Sequence, residues 1–118
     1  MKIFTLLMLL PNACFAWSDK DTNREVAWQI INFIDYRQTV NLSKRQNEDF
    51  YEQNPLLGSN PSRGDVDKYF ALAALGHLGI SYALPIKYRL PWQWGSIGVS
   101  TMIVYNNHRI GLRVNFTY

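Results

Sequence analysis

Asp35, Glu52, His77 and His108 are side chains of the kinds that move protons or hold metal ions. A carboxylate and an imidazole within hydrogen-bond reach make a general acid–base couple, and a hydroxyl beside them turns the couple toward nucleophilic chemistry. None of the four falls in a pattern that commits it to such work. There is no His-x-x-x-His, no His-Glu-x-x-His and no carboxylate pair close to either histidine, so no metal is implied. Gly95-Ser96-Ile97-Gly98 misses the Gly-x-Ser-x-Gly spacing of a nucleophile elbow, and no glycine-rich phosphate loop is present. No catalytic residue and no cofactor is assigned on this basis.

His77 lies among Gly76, Leu78 and Gly79, where an ionisable group is costly and pairs with a polar group on another helix. Asp35 is one candidate for that partner if the two helices pack together, and the sequence does not fix whether they meet. Left to itself, Asp35 marks the polar edge of an amphipathic helix, and His77 is a neutral ring making one hydrogen bond. Glu52 precedes Asn54-Pro55 and is placed to accept loop amides and hold a turn.

The elements that must position these residues begin with a leader. Lys2 gives a minimal positive start, Ile3 to Leu10 a short apolar run, and Pro11-Asn12 a break. Cys14 and Ala16 then supply small residues at the −3 and −1 positions of a secretory signal, which predicts a signal peptide over 1–16. Cleavage after Ala16 removes the only cysteine, and 118 less 16 leaves 102 residues without disulfide or thiolate chemistry. The net charge of +3 is spread along the chain with no basic cluster among aromatics, which argues against nucleic acid as a partner.

The remainder reads as a single small domain over 17–118, mainly α. Residues 17–46 are expected to form an amphipathic helix. Thr22-Asn23-Arg24-Glu25 has capping-box spacing, Val26, Ile30, Phe33 and Ile34 recur at helical intervals, and Gln38 and Thr39 follow beside that stripe. Residues 47–64, punctuated by Asn54-Pro55, Gly58, Asn60-Pro61 and Gly64, form a Pro/Gly-rich loop.

Two blocks without Asp, Glu, Lys or Arg follow, Tyr69 to Ile86 and Leu90 to His108, divided by Lys87-Tyr88-Arg89. Each as a helix would reach roughly 27 Å, near the hydrocarbon thickness of a bilayer. We therefore expect an apolar helical hairpin over 65–108. Asp65-Val66-Asp67 starts it, Pro85 ends its first arm, and Lys87 and Arg89 lie in a short cytoplasmic loop. The stretch 92–105 is also credible as a strand, because its Ile, Val and Thr favour sheets. Asn106-Asn107-His108-Arg109 reads as a turn, and the alternation from Ile110 to Tyr118 predicts a short tail strand over 109–118.

Asp35-x-x-Gln38-Thr39, then Glu52-x-Asn54-Pro55-Leu56-Leu57-Gly58 with Pro61-Ser62, then Tyr69-Phe70, His77, Leu84-Pro85, Arg89 and Trp92-Gln93 together resemble a set of small uncharacterised bacterial and phage-borne proteins. The resemblance covers about Ile31 to Asn107. It implies a membrane-associated helical protein without a known activity. It also leaves Asp35, Gln38, Glu52, Asn54 and His77 as the functional candidates.

The expectation from the sequence is thus an exported envelope protein of the inner membrane with both termini in the periplasm, acting without catalysis by packing against membrane, protein or itself. The periplasm and the outer membrane are the other locations considered. A soluble periplasmic interaction module is the alternative, and an embedded enzyme or transport accessory using Asp35, Glu52 and His77 ranks below it. No small-molecule ligand can be named.

Overall fold

The computed structural model describes residues 16–44 and 61–112, which form three helices: α1 (Asp19–Lys44), α2 (Arg63–Ala83) and α3 (Ile86–Arg109). The chain is mainly helical, and no strand occurs among the described residues. Glu52, Asn54, the leader up to residue 15, the loop from 45 to 60 and the tail strand beyond Leu112 lie outside them.

Each helix end has a local cause. At α1 the Ser18 hydroxyl accepts the Asp21 amide at 3.2 Å, and the Asp21 carboxylate accepts the Ser18 amide at 2.9 Å. This capping box sits four residues upstream of the expected Thr22–Glu25 pair, and so Glu25 is free to serve elsewhere. Ser62 and Asp65 repeat the device at α2, at 3.1 and 3.3 Å, so that helix begins two residues before Asp65. Pro85 forces Leu84 into extended backbone, ends α2 and serves as the N-cap of α3.

Residues 92–105 are helical, and Asn106 to Arg109 form the last turn of α3 rather than a separate turn. Beyond them Gly111 takes φ 101°, its amide donates to the His108 carbonyl, and the Leu112 amide donates to the Asn107 carbonyl. This is a Schellman closure, which needs a residue free to enter left-handed backbone.

α1 lies along both other helices, antiparallel to α2 and parallel to α3. Tyr36 and Val40 meet the start of α2 while Glu25 meets its end. Against α3, Asp21 meets Arg89 and Gln38 meets Val104. The apolar core is a small cluster of Val40, Val66 and Phe70, with Tyr36 and Tyr69 packed against it.

The rest of the molecule is inverted relative to the expected amphipathic pattern. Val26, Ile30 and Phe33 are 50%, 56% and 49% exposed. Asp21, Glu25, Arg37, Gln38, His77, Ser81, Arg89 and Gln93 are buried instead. The helical period of α1 was therefore legible, but its inward face was not.

The membrane-spanning expectation is also corrected. Among the described residues no helix is long and apolar enough to cross a membrane. The first turns of α2 carry Arg63, Asp65, Asp67 and Lys68, and Gln93, Ser96, Ser100, Thr101, Asn106 and Asn107 lower the mean hydropathy of α3. The inner-membrane location and the transmembrane hairpin are withdrawn with it. Arg89 is not in a loop but fully buried within α3.

Candidate functional site

Six of the buried polar residues, Asp21, Glu25, His77, Ser81, Arg89 and Gln93, join into one seam where the end of α2, the start of α3 and the first half of α1 meet. Helical spacing builds it, because Asp21 and Glu25, His77 and Ser81, and Arg89 and Gln93 are each four residues apart and so share a face. Glu25 is at the centre. His77 Nδ1 lies 3.0 and 2.9 Å from its two carboxylate oxygens, and Ser81 Oγ donates to Oε1 at 2.8 Å. Gln93 Nε2 donates to Oε1 at 3.3 Å, and Gln29 Nε2 donates to Oε2 at 2.9 Å.

Burial alone would raise the Glu25 carboxyl, but the hydrogen bonds from His77, Gln29 and Ser81 outweigh it and hold the group below its ordinary value. A carboxylate only accepts, so the proton on the facing nitrogen of His77 is on Nδ1. The imidazole is stacked between two indoles, Trp28 at 3.7 Å and 6° and Trp92 at 4.8 Å and 25°. Both indoles are themselves fixed: Trp28 Nε1 donates to Ser100 Oγ at 3.0 Å, and Trp92 Nε1 donates to Ser81 Oγ at 2.9 Å.

A second centre adjoins the first. Arg89 Nη1 donates to Asp21 Oδ2 at 3.0 Å and to the Ala16 carbonyl at 2.7 Å. Its Nε donates to the Ser81 carbonyl at 2.7 Å and its Nη2 to the Leu84 carbonyl at 2.9 Å. These last bonds satisfy carbonyls that the end of α2 leaves without helical partners. Burial would raise the Asp21 carboxyl, yet the Ser18 backbone and hydroxyl, and then Arg89, hold it below its ordinary value. Arg24 pairs with Asp21 and donates through Nε to Gln93 Oε1 at 2.9 Å, which links the two centres.

Carboxylate, imidazole and hydroxyl are thus all present, but the wiring is not that of a nucleophilic triad. Ser81 Oγ is 3.4 Å from Nδ1, the nitrogen already turned to Glu25, and its own proton goes to Glu25. His77 Nε2, the nitrogen that would act as base, is buried without a hydrogen-bond partner among the described residues. Ser81 is fully buried, so no substrate carbonyl reaches it. Among the described residues no group of three His, Cys, Asp or Glu could hold a metal ion.

Of the sequence candidates, His77 is central, but Asp35 is not its partner. Asp35 accepts from Asn107 Nδ2 at 3.0 Å, further along the α1–α3 contact, and Asn107 also donates to Gln38 Oε1 at 3.1 Å. Gln38 in turn donates to the Val104 carbonyl at 3.2 Å. Asp35 and Gln38 therefore belong together, apart from His77, while His108 is exposed near the end of α3. Glu25, Asp21, Ser81, Arg89 and Gln93 were missed as a set. The signal that reveals them is the recurrence of polar residues four apart on all three helices. Compared with known proteins, the chain matches no family model, no curated protein and no solved structure.

Proposed function

We propose that this chain is an exported, non-enzymatic packing module whose apolar outer surface binds protein. Its inverted build carries the reading. Polar side chains are spent inside on one another, and large apolar ones, among them Leu75, Trp94, Met102 and Tyr105, stand outside. Scattered exposed apolar residues are ordinary, but contiguous patches on a small protein mark interaction surfaces. The seam supports the non-catalytic part, because its hydroxyl is fully buried and its carboxylates are turned toward partners within the fold. Its role is to fix how the three helices sit, and hence the shape of the surface they present.

The test is a photo-crosslinking residue placed in expressing cells at Leu75 or Met102, with Lys20 and Lys68 as exposed polar controls. Protein adducts are expected at the first two positions and not at the controls. A surface that yields no protein adduct at either apolar position overturns the reading. The exported part predicts that the purified protein begins at Trp17, without the Ala16 carbonyl that Arg89 meets in the full chain, which N-terminal sequencing decides.

A further inference from the structure

We infer that the fold guards its own leader junction. Once the seam has closed, the Ala16–Trp17 bond is withheld from the peptidase that cuts it, so leader removal must precede the docking of α3. This rests on the export reading above and adds the order of its two steps.

A peptidase needs the carbonyl oxygen before the scissile bond free to enter an oxyanion hole. Hydrolysis then adds water across Ala16–Trp17, the carbon–nitrogen bond breaks, and the chain parts as an Ala16 carboxylate and a Trp17 ammonium. In the fold that same oxygen is taken. It accepts from Arg89 Nη1 at 2.7 Å, and Arg89 is fully buried. The guanidinium cannot follow the carbonyl into a cleft. Its Nε holds the Ser81 carbonyl at 2.7 Å, its Nη2 the Leu84 carbonyl at 2.9 Å, and Nη1 also holds the Asp21 carboxylate at 3.0 Å.

The residue after the bond is pinned as well. Trp17 Nε1 donates to Thr22 Oγ1 at 2.7 Å. The Arg89 guanidinium carbon lies 5.0 Å from the centre of the Trp17 ring, and the Tyr82 ring lies 5.9 Å away. Ser18 follows as the cap of α1, and the helix begins at Asp19. The stretch that a cleft would draw out as extended chain is therefore already committed to the seam and to α1. Ala16 is itself exposed, but exposure does not free its carbonyl. Cutting a bond held in this way passes through local opening, here the release of Arg89 from its acceptors.

None of this hold exists until Arg89 arrives, 73 residues after Ala16. The window for cutting is the interval between emergence of the junction and docking of α3. A chain that closes first keeps its leader. A chain that is cut first still closes, because Asp21, Ser81 and Leu84 remain as acceptors for Arg89.

The test treats the folded full-length chain and a free peptide of residues 8–24 with the soluble catalytic domain of a bacterial leader peptidase, following products by mass spectrometry. The peptide is expected to part at Ala16–Trp17, and the folded chain to part there about a hundredfold more slowly, the scale of a local opening. The full chain is also diluted from urea, with peptidase added after increasing delays. The fraction cut should fall in step with the recovery of helical circular dichroism. Arg89→Lys, which loses the fork that binds several acceptors at once, should be cut faster than the parent while still helical. A folded chain cut as fast as the peptide, or a cut fraction indifferent to the delay, would overturn the inference and leave the export reading standing. A helical Arg89→Lys chain as resistant as the parent would overturn the hold by Arg89. A peptide left whole at Ala16–Trp17 would remove the export reading and the inference with it. The delay series decides the matter even if Arg89→Lys fails to fold.

Discussion

The two ends of the α1–α2 contact are held in opposite ways. Near Tyr36 the helices meet mainly through Val40, Val66 and Phe70, a small apolar cluster that depends on area and volume, with Tyr36 donating to Asp67 and accepting from Arg63 beside it. Near Glu25 they meet through a carboxylate, an imidazole, a hydroxyl and two stacked indoles, where each group has a direction to satisfy. Apolar packing tolerates replacements of similar volume, whereas a buried polar network tolerates few because every orphaned group incurs its desolvation cost. The seam therefore sets the orientation of the helices, and the apolar cluster supplies general cohesion.

Arg89→Met should break the contrast hardest. It strands Asp21 and the final carbonyls of α2 together, and removing one partner of a buried pair costs about 3–5 kcal/mol. Urea unfolding monitored by circular dichroism measures this, and a loss below that of Phe70→Leu would refute the distinction between the two ends. Glu25→Gln should cost less, about 1–3 kcal/mol, since the amide retains shape but cannot accept from every neighbour.

Glu25 also makes the seam sensitive to pH. Asp21 and Glu25 are both held low in the fold, so their contribution is complete above the unfolded-state values of about 4. It is lost as pH falls through the lower folded values. Melting followed from pH 7 to 3 should show the midpoint dropping at the acid end, with a shallower drop in Glu25→Gln. Identical profiles would mean that Glu25 is not a source of the acid sensitivity.

At the apolar end Phe70→Leu should cost about 1 kcal/mol, as a hydrophobic swap of modest volume change does. The smallest effect belongs to Arg63→Ala. The ion pair of Arg63 with Asp67, at 2.9 Å, is partly exposed and is worth about 0.5 kcal/mol. A loss above 2 kcal/mol in the same urea titration would show that this surface pair is part of the structural core.

Much of the helical framework was legible. Asp65-Val66-Asp67 and Pro85 bracket α2 because an acidic first turn and a terminal proline act locally. The inward face of α1 was not, since reading Val26, Ile30 and Phe33 as core assumes that apolar residues face inward. The partner of His77 was missed for a related reason. Thr22 to Glu25 mimics a cap, and only the actual cap at Ser18 and Asp21 shows that Glu25 is available to the interior. That His77 would meet a carboxylate from α1 was within reach of the sequence, but which one depends on where the antiparallel register settles.

Arg89 has a consequence for how the chain is made. Its bond to Asp21 spans 68 residues, and Trp28 to Ser100 spans 72, whereas Arg89 to Ser81 spans only 8. A ribosome delivers α1 first and α3 last, and closing long loops is slower than closing short ones. The α2–α3 junction is expected to gain protection in pulsed hydrogen exchange before α1 does; α1 protected first would contradict this. During synthesis Asp21 lacks Arg89 and Glu25 lacks Gln93 until α3 has emerged, so the seam that holds the first helix made is completed by the last.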